Sequence, residues 1–368
     1  MRRPWLLLLL PLLLVACREP APAQEPFSAS GLLSSLSPEG FARARTVREF
    51  RFPEDHGGHP DYRNEWWYFT GNLESGEGRR FGYQVTFFRF SLQPPTDDSP
   101  PSAWAGNPVW MAHVALTDAE GGGHLAQERL IRSGPGLAGV EVEPLRVWLQ
   151  DWQLRAGDTG FPWQLDIDAA GFSLKLELQP GVGVVLQGDQ GLSQKSAQPG
   201  NASYYYSLPR MQSTGSISVA GKTHRVSGLS WFDREWGTSA LAPDQAGWDW
   251  FSLQFNNGES LMFYHLRQQN GESDPHSAGS LVGANGVTQP LGLDDVELTP
   301  LDWWDGPNGN RYPVAWSLRL KRQQRALIVR AILPDQEMDL SVRYWEGAVD
   351  VVENGLPVGR GYMELTGY

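Results

Sequence analysis

From about Phe50 onward the chain alternates. Phe172, Leu174, Leu176 and Leu178 are interleaved with Ser173, Lys175 and Glu177, and Trp316, Leu318 and Leu320 with Ser317, Arg319 and Lys321. A period of two sends every second side chain to one face, as in a half-buried β-strand. No stretch after residue 45 holds a long helical period between capping signals. Turn signals fall between the apolar runs: Asn256-Asn257-Gly258, Glu353-Asn354-Gly355 and Gly306-Pro307-Asn308-Gly309-Asn310. The 41 glycines and 27 prolines are scattered as punctuation, which predicts many short strands and an all-β chain.

The pattern then repeats. The run from Glu65 (EWWYFTGNLESGEGRRFGYQV) matches the run from Gly247 (GWDWFSLQFNNGESLMFY) as an aromatic strand, a polar glycine turn and a second aromatic strand. Phe161-Pro162-Trp163 to Ile167 matches Tyr312-Pro313 to Leu320. The run from Gly215 (GSISVAGKTHRVSGLSWFD) parallels the run from Gly347 (GAVDVVENGLPVGRGYME). In that alignment Gly228, Trp231, Phe232 and Asp233 fall on Gly359, Tyr362, Met363 and Glu364. Three matches in one order predict a duplicated unit. Two tandem antiparallel β-barrels fit best, since closure removes exposed edges and about eight strands hold one small ligand. Two sandwiches are the competing architecture. The expected division is 46–238 and 239–368, with the boundary just after Gly237 in TSALAPDQA.

The first residues differ in kind. MRRPWLLLLLPLLLVAC has a basic start, a leucine run too short for a comfortable span, and small residues before Cys17. This reads as a bacterial lipoprotein signal peptide over residues 1–16, with lipid (palmitate-type acyl chains) on the thiol and amine of Cys17. Arg18 in place of Asp permits sorting to the outer membrane, so the expected location is the periplasmic face of a bacterial membrane, the outer more than the inner. Residues 17–45, rich in Pro, Ala and Ser, read as a tether, with a short helix expected within residues 30–44. Cys17 is the only cysteine, so no disulfide forms within the chain. The net charge is −12, without a basic block, which argues against nucleic acid as a partner.

Several segments together resemble one family. They are Glu54-Asp55-His56-Gly57-Gly58-His59, Glu65-Trp66-Trp67-Tyr68, YYYSLPRMQSTG (204–215), GLSWFDREWG (228–237) with Gly247 to Phe251 close behind, and a terminal GYMELTGY. The resemblance, from about Phe50 to Tyr368, is to the AttH-like family, which includes the carotenoid 1,2-hydratases (hydroxyneurosporene synthases). It implies two lipocalin-like β-barrel domains, in agreement with the duplication. Hydratase members add water across a terminal double bond of an acyclic carotenoid. Other members are secreted or lipid-anchored, and some are associated with ABC transport systems.

The sixteen tryptophans, roughly 4% of the chain, point either to aromatic packing or to an aromatic cavity. Trp66, Trp67, Tyr68, Tyr83 and Phe87 are candidates to line a cavity in the first barrel, with alternation sending about half inward. Tyr204, Tyr205 and Tyr206 share that ambiguity, and Trp231, Trp236, Trp248 and Trp250 join the candidate ligand contacts. In WFDREWG (231–237) a strand puts Trp231, Asp233 and Glu235 on one face, with Phe232, Arg234 and Trp236 on the other. Two acids on one face push one pKa upward, which suits a catalytic acid. The competing role is a salt-bridged seam, one acid pairing with an arginine such as Arg210 and Arg234 with an acid of the other domain. His56 is a candidate base.

Asp55, His56, His59, Asp61 and Glu65 are residue types that can bind zinc. Gly57 and Gly58 argue for a loop, and the spacing is not His-Glu-x-x-His, so neither metal nor cofactor is expected. No Gly-x-Ser-x-Gly elbow marks a serine hydrolase and no glycine-rich loop marks a phosphate site. The first expectation is a lipid-anchored protein that binds or presents a lipid or isoprenoid, with an ABC transporter as a further partner. The alternative is a hydratase-like enzyme that adds water to an isoprenoid double bond by acid catalysis.

Overall fold

The computed structural model describes residues 27–28, 39–95, 108–238 and 241–368. The signal peptide, Cys17 and most of the tether lie outside them. The described end of the tether is packed: the Ala42 amide donates to the Asp61 carbonyl at 2.9 Å and Ala44 is fully buried. Over residues 39–44 there is a turn and extended chain where the sequence predicts helix; the rest of that expected helix lies outside the described residues.

Eleven strands form the first sheet: β1 (Asn64–Ser75), β2 (Arg80–Ser91), β3 (Pro108–Asp118), β4 (Gly123–Arg132), β5 (Ala138–Val142), β6 (Leu145–Leu149), β7 (Trp152–Gly157), β8 (Gly160–Ala169), β9 (Phe172–Gln179), β10 (Ala202–Val219) and β11 (Lys222–Gly237). Nine form the second: β12 (Gln245–Phe255), β13 (Ser260–Gln268), β14 (Ala278–Val282), β15 (Thr288–Gly292), β16 (Val296–Asp305), β17 (Arg311–Leu320), β18 (Arg325–Ala331), β19 (Val342–Glu353) and β20 (Leu356–Leu365). Short strands bring the described totals to thirteen and eleven: Val185–Leu186 and Leu192–Gln194 pair onto β10, and Phe27–Ser28 and Glu337–Met338 onto β19.

In the first sheet the strands pair in chain order and β11 pairs back onto β1, so that among the described residues the seam lies between β4 and β5. The second sheet has the same plan. β20 pairs onto β12 and the seam falls between β15 and β16. Counted back from the closing strand, β8 corresponds to β17, β10 to β19 and β11 to β20, the correspondence read from the sequence repeat. The chain is two lipocalin-like antiparallel barrels. Across the first seam, Arg129 of β4 lies 4.0 Å from the Trp152 ring centre of β7 and pairs with Asp151.

Each barrel has its own core. Trp67, Phe69, Tyr83, Phe87, Trp163 and Phe232 fill the first, and Phe251, Phe263, Trp316 and Trp345 the second. A third cluster joins them: Tyr68, Tyr205, Trp231, Trp250 and Tyr362 lie between the sheets. The barrels approach closely there. A Cβ added to Gly82 of β2 would stand 2.5 Å from the Ala348 Cβ of β19, so only glycine fits. Asn72 donates to the Gly361 carbonyl at 2.8 Å, and Gln254 to the Ser230 carbonyl at 3.0 Å. In β10 the register shifts between Leu208 and Met211, where Pro209 is tolerated and Arg210 takes φ 59°. The bulge turns Arg210 outward to donate to the carbonyls of Phe255 and Glu259 in the second barrel, at 3.0 and 3.2 Å.

Candidate functional site between the barrels

Alternation along β11 decides the site. Phe232, Arg234 and Trp236 point into the first barrel; Trp231, Asp233 and Glu235 face the second. Arg234 is fully buried and forms an ion pair with Glu65 of the same barrel, with its guanidinium 3.8 Å from the Trp67 ring centre. It therefore does not bridge the domains, and Arg210 reaches backbone carbonyls and not an acid. Glu65 also pairs with Arg89. Burial opposes the Glu65 charge, but Arg234 and Arg89 hold its carboxyl well below the usual range.

The Asp55–His59 loop plugs one end of that barrel. Arg48 donates to both Asp55 oxygens at 2.9 Å, His59 Nε2 meets Asp55 at 3.0 Å, and the His59 ring stacks on Trp236 at 3.7 Å. A Cβ on Gly57 or Gly58 would come within 2.4 Å of Val142 or 2.7 Å of Val140 on β5, which accounts for the glycine pair. His56 is buried against Tyr206, with Nδ1 2.6 Å from the phenol oxygen. Burial and the Arg234 charge lower its pKa to about 4, so its imidazole is neutral. It lines the barrel end and not the interdomain cavity. Asp55, His59 and Glu65 are engaged with arginines, and among the described residues no group of three or more such side chains is arranged to hold a metal ion.

The cavity lies between the two sheets and measures about 180 Å³. Its wall is aromatic: Trp66, Tyr68, Phe88 and Tyr205 from the first barrel, Trp248, Trp250, Tyr264 and Tyr344 from the second. Four carboxyls open onto it, Asp233, Glu235, Glu346 and Glu364, with Lys195 and His113. Strand register sets them opposite one another. Asp233 pairs across from Tyr68 and Ser207, and Glu364 across from Trp250 and Glu346. Asp233 and Glu364 hold equivalent places in the two barrels.

Asp233 is 3% exposed. Its Oδ1 accepts from Ser207 Oγ at 2.5 Å and Trp231 Nε1 at 2.7 Å; its Oδ2 accepts from the Tyr205 hydroxyl at 2.5 Å. Tyr205 in turn accepts from Trp250 Nε1 of the other barrel at 3.2 Å. Burial pushes the Asp233 pKa up to about 7, against these donors and with the Glu235 charge adding. With Oδ1 doubly occupied, the proton of the neutral acid belongs on Oδ2. Glu235 accepts from Ser203 and pairs with Lys195 at 3.1 Å. Glu364, which accepts from Trp248 Nε1 at 2.9 Å, is pushed up to about 7 by burial, with Asp233 and Glu235 adding. Glu346 is fully buried and accepts from Tyr68; burial, then Glu364, push it well above the usual carboxylate range. The cavity thus combines a desolvated aromatic wall with carboxylic acids that keep their protons near neutral pH.

Of the residues singled out in the sequence, Asp233, Glu235, Trp66, Tyr68, Trp248 and Trp250 meet at this cavity. Trp231 stands behind the wall and donates to Asp233. Trp67, Tyr83, Phe87 and Trp236 belong to the packed core of the first barrel. The expected cavity inside that barrel is replaced by one outside it, because the inward faces of β1 and β2 are filled with large side chains. Of the tyrosine run, Tyr205 faces the cavity and Tyr204 and Tyr206 the core. Sequence reasoning misses Glu346, Lys195, His113 and Tyr344. Glu364 carries a signal, its alignment with Asp233 in the repeat.

The AttH-like family profile matches residues 43–368. An AttH from Nitrosomonas europaea, solved at 2.00 Å, is 35% identical over 89% of this chain and 100% of its own, with a TM-score of 0.80. The chain belongs to the AttH-like family. Among solved folds this AttH-like chain is also similar to kievitone hydratase from Nectria haematococca, 16% identical, TM-score 0.65, covering 90% of this chain and 97% of the hydratase. CghA, in complex with Sch210972, is 13% identical with TM-score 0.56, covering 90% and 98%. At these identities the likeness is one of fold. No match is found among curated proteins.

Proposed function

We propose that this AttH-like protein is an acid catalyst of the hydratase type, which takes an unsaturated apolar molecule between its barrels and adds water to a double bond. The observation that carries the reading is Asp233: a buried acid, fixed by three donors, with a pKa near neutrality, in an aromatic wall. A proton donor works best when its pKa lies near the operating pH. In this reading the Asp233 proton goes to one alkene carbon and the positive charge forms on its neighbour, where the faces of Tyr68 and Trp250 stabilise it. Water oxygen bonds to that carbon and gives its extra proton to a cavity carboxylate. The hydratase among the fold relatives supports the reaction class. The test is to incubate the chain with a panel of unsaturated isoprenoids in heavy-oxygen water and to follow label in the product by mass spectrometry. Label should enter with the wild type and fail to enter with Asp233→Asn; equal labelling by both would remove Asp233 from the mechanism.

The leader and Cys17 favour a second reading: a lipid-anchored protein at the periplasmic face of the membrane that binds or presents a lipid or isoprenoid, alone or for an ABC transporter. Native mass spectrometry of the Cys17→Ser chain, followed by lipid extraction, tests it. A single apolar molecule retained one-to-one without turnover supports a carrier, and an empty cavity that takes up no apolar probe counts against it. Fractionation of cells that make the wild type or the Cys17→Ser variant tests the anchor.

A further inference from the structure

Of the four carboxyls that line the cavity, Glu346 is the one with no exposed surface. Glu346 is fully buried, its Oε1 is taken by Tyr68, and its Oε2 accepts no hydrogen bond from the described residues. Beside it, two residues earlier on the same face of β19, stands Tyr344, and each side chain perturbs the other's ionisation. The Tyr344 hydroxyl lies 2.8 Å from Nδ1 of His113, on β3 of the other barrel. His113 is itself 1% exposed, and its Nε2 lies 2.9 Å from Glu128 Oε2 on the edge strand β4. Glu128 is partly open to solvent and accepts from the exposed Ser341 hydroxyl at 2.5 Å. Burial opposes the Glu128 charge, but the His113 and Ser341 hydrogen bonds hold its pKa below the usual value.

We propose that Tyr344, His113 and Glu128 form a proton relay that connects the buried Glu346 to solvent across the domain interface. The donor sense is consistent from Glu128 to Tyr344, and the last link, from the unpartnered Glu346 Oε2 to the Tyr344 oxygen, is the inferred one. The carboxylate of Glu128 fixes the His113 proton on Nε2, which leaves Nδ1 to accept from the Tyr344 hydroxyl, whose oxygen is then free to accept from Glu346. Outward, the Glu346 proton passes to the Tyr344 oxygen, the phenol proton to Nδ1, the Nε2 proton to Glu128, and one proton leaves to water. Each intermediate group takes one proton and gives one. The purpose of the relay rests on the proposed acid chemistry: it returns a solvent proton inward to Glu346 after that group has given its own to a cavity carboxylate emptied by the acid step. His113 and Glu128 touch no substrate and are relay residues.

The experiment needs no substrate, so its outcome is separable from that of the hydration assay. The purified chain is transferred to heavy water, and the infrared carbonyl stretch of protonated Glu346, identified by its loss in Glu346→Gln, is followed in time. His113→Phe keeps a ring beside Phe88 and removes both nitrogens; Tyr344→Phe removes one hydroxyl and serves if His113→Phe fails to fold. Either variant should slow the exchange at least roughly tenfold, because exchange then waits for a local opening that lets cavity water reach Glu346. Glu128→Gln should slow it as well. Exchange as fast in a folded relay variant as in the wild type would overturn the proposal, and so would absence of a protonated Glu346 band near neutral pH.

Discussion

Replacing Asp233 by asparagine separates two demands on one side chain. In the folded chain this carboxyl holds its proton up to about pH 7, against an ordinary value of 3.8. The unfolded chain therefore releases the proton first, and between those values the folded state binds more protons than the unfolded one. Stability must fall as pH rises through that window and stay lower above it. The gap corresponds to on the order of 4 kcal/mol between the neutral and ionised forms, and at 3% exposure solvent screening reduces it little. Asparagine cannot ionise. Its oxygen can keep the Ser207 and Trp231 bonds; its amide nitrogen cannot accept the Tyr205 hydroxyl that Oδ2 accepts, so that one bond is reversed or lost. Urea unfolding followed by tryptophan fluorescence, at about pH 4 and about pH 9, gives the comparison. At the acid end the two proteins should agree within about 1 kcal/mol. At the alkaline end the variant should be more stable by several kcal/mol, since Glu364 titrates in both and largely cancels. Parallel pH dependences in the two proteins would refute the assignment of a buried, neutral Asp233.

Glu65→Gln leaves Arg234 with no full counter-charge in a fully buried site, so the first barrel should lose about 3–5 kcal/mol; a fall in urea midpoint worth under about 1 kcal/mol would show that the Trp66, Glu235 and Gly57 carbonyls around Arg234 suffice without the pair. Trp250→Ala removes a ring from the cavity wall together with the donor to Tyr205. Affinity for a fluorescent polyene fatty acid, measured by titration, should weaken at least roughly tenfold, and unchanged affinity would place the apolar ligand elsewhere.

The strands, the duplication and its register are legible because each rests on local periodicity. Phe232 against Asp233, or Trp67 against Tyr68, is a matter of counting by two. Which face borders the cavity is not legible. Both faces of β1 are aromatic, and only the docking of the second barrel turns its outward face, Trp66 and Tyr68, into a cavity wall. His113 and Tyr344 are 231 residues apart in sequence, and nothing in the neighbourhood of either announces the other. Lys195 lies in a loop whose composition reads as a plain connection. The repeat alignment does set Glu364 beside Asp233; a duplicated acid in equivalent strands is a signal of shared environment that a search for motifs alone passes over.

Gly82 and the alternation on β11 have a consequence for how such a protein can change. The residues that hold each barrel together and the residues that line the cavity between them occupy opposite sides of the same strands, a sheet's thickness apart. The cavity wall can be reshaped by exchanging Trp66, Tyr68, Trp248 or Trp250 without disturbing Trp67, Phe69 or Phe251 beneath them. The constraint falls instead on the spacing of the two bodies: any side chain at position 82 would press on Ala348 and wedge the barrels apart. The cavity wall is adjustable residue by residue, while the approach of the two sheets at Gly82 leaves room for a single hydrogen atom.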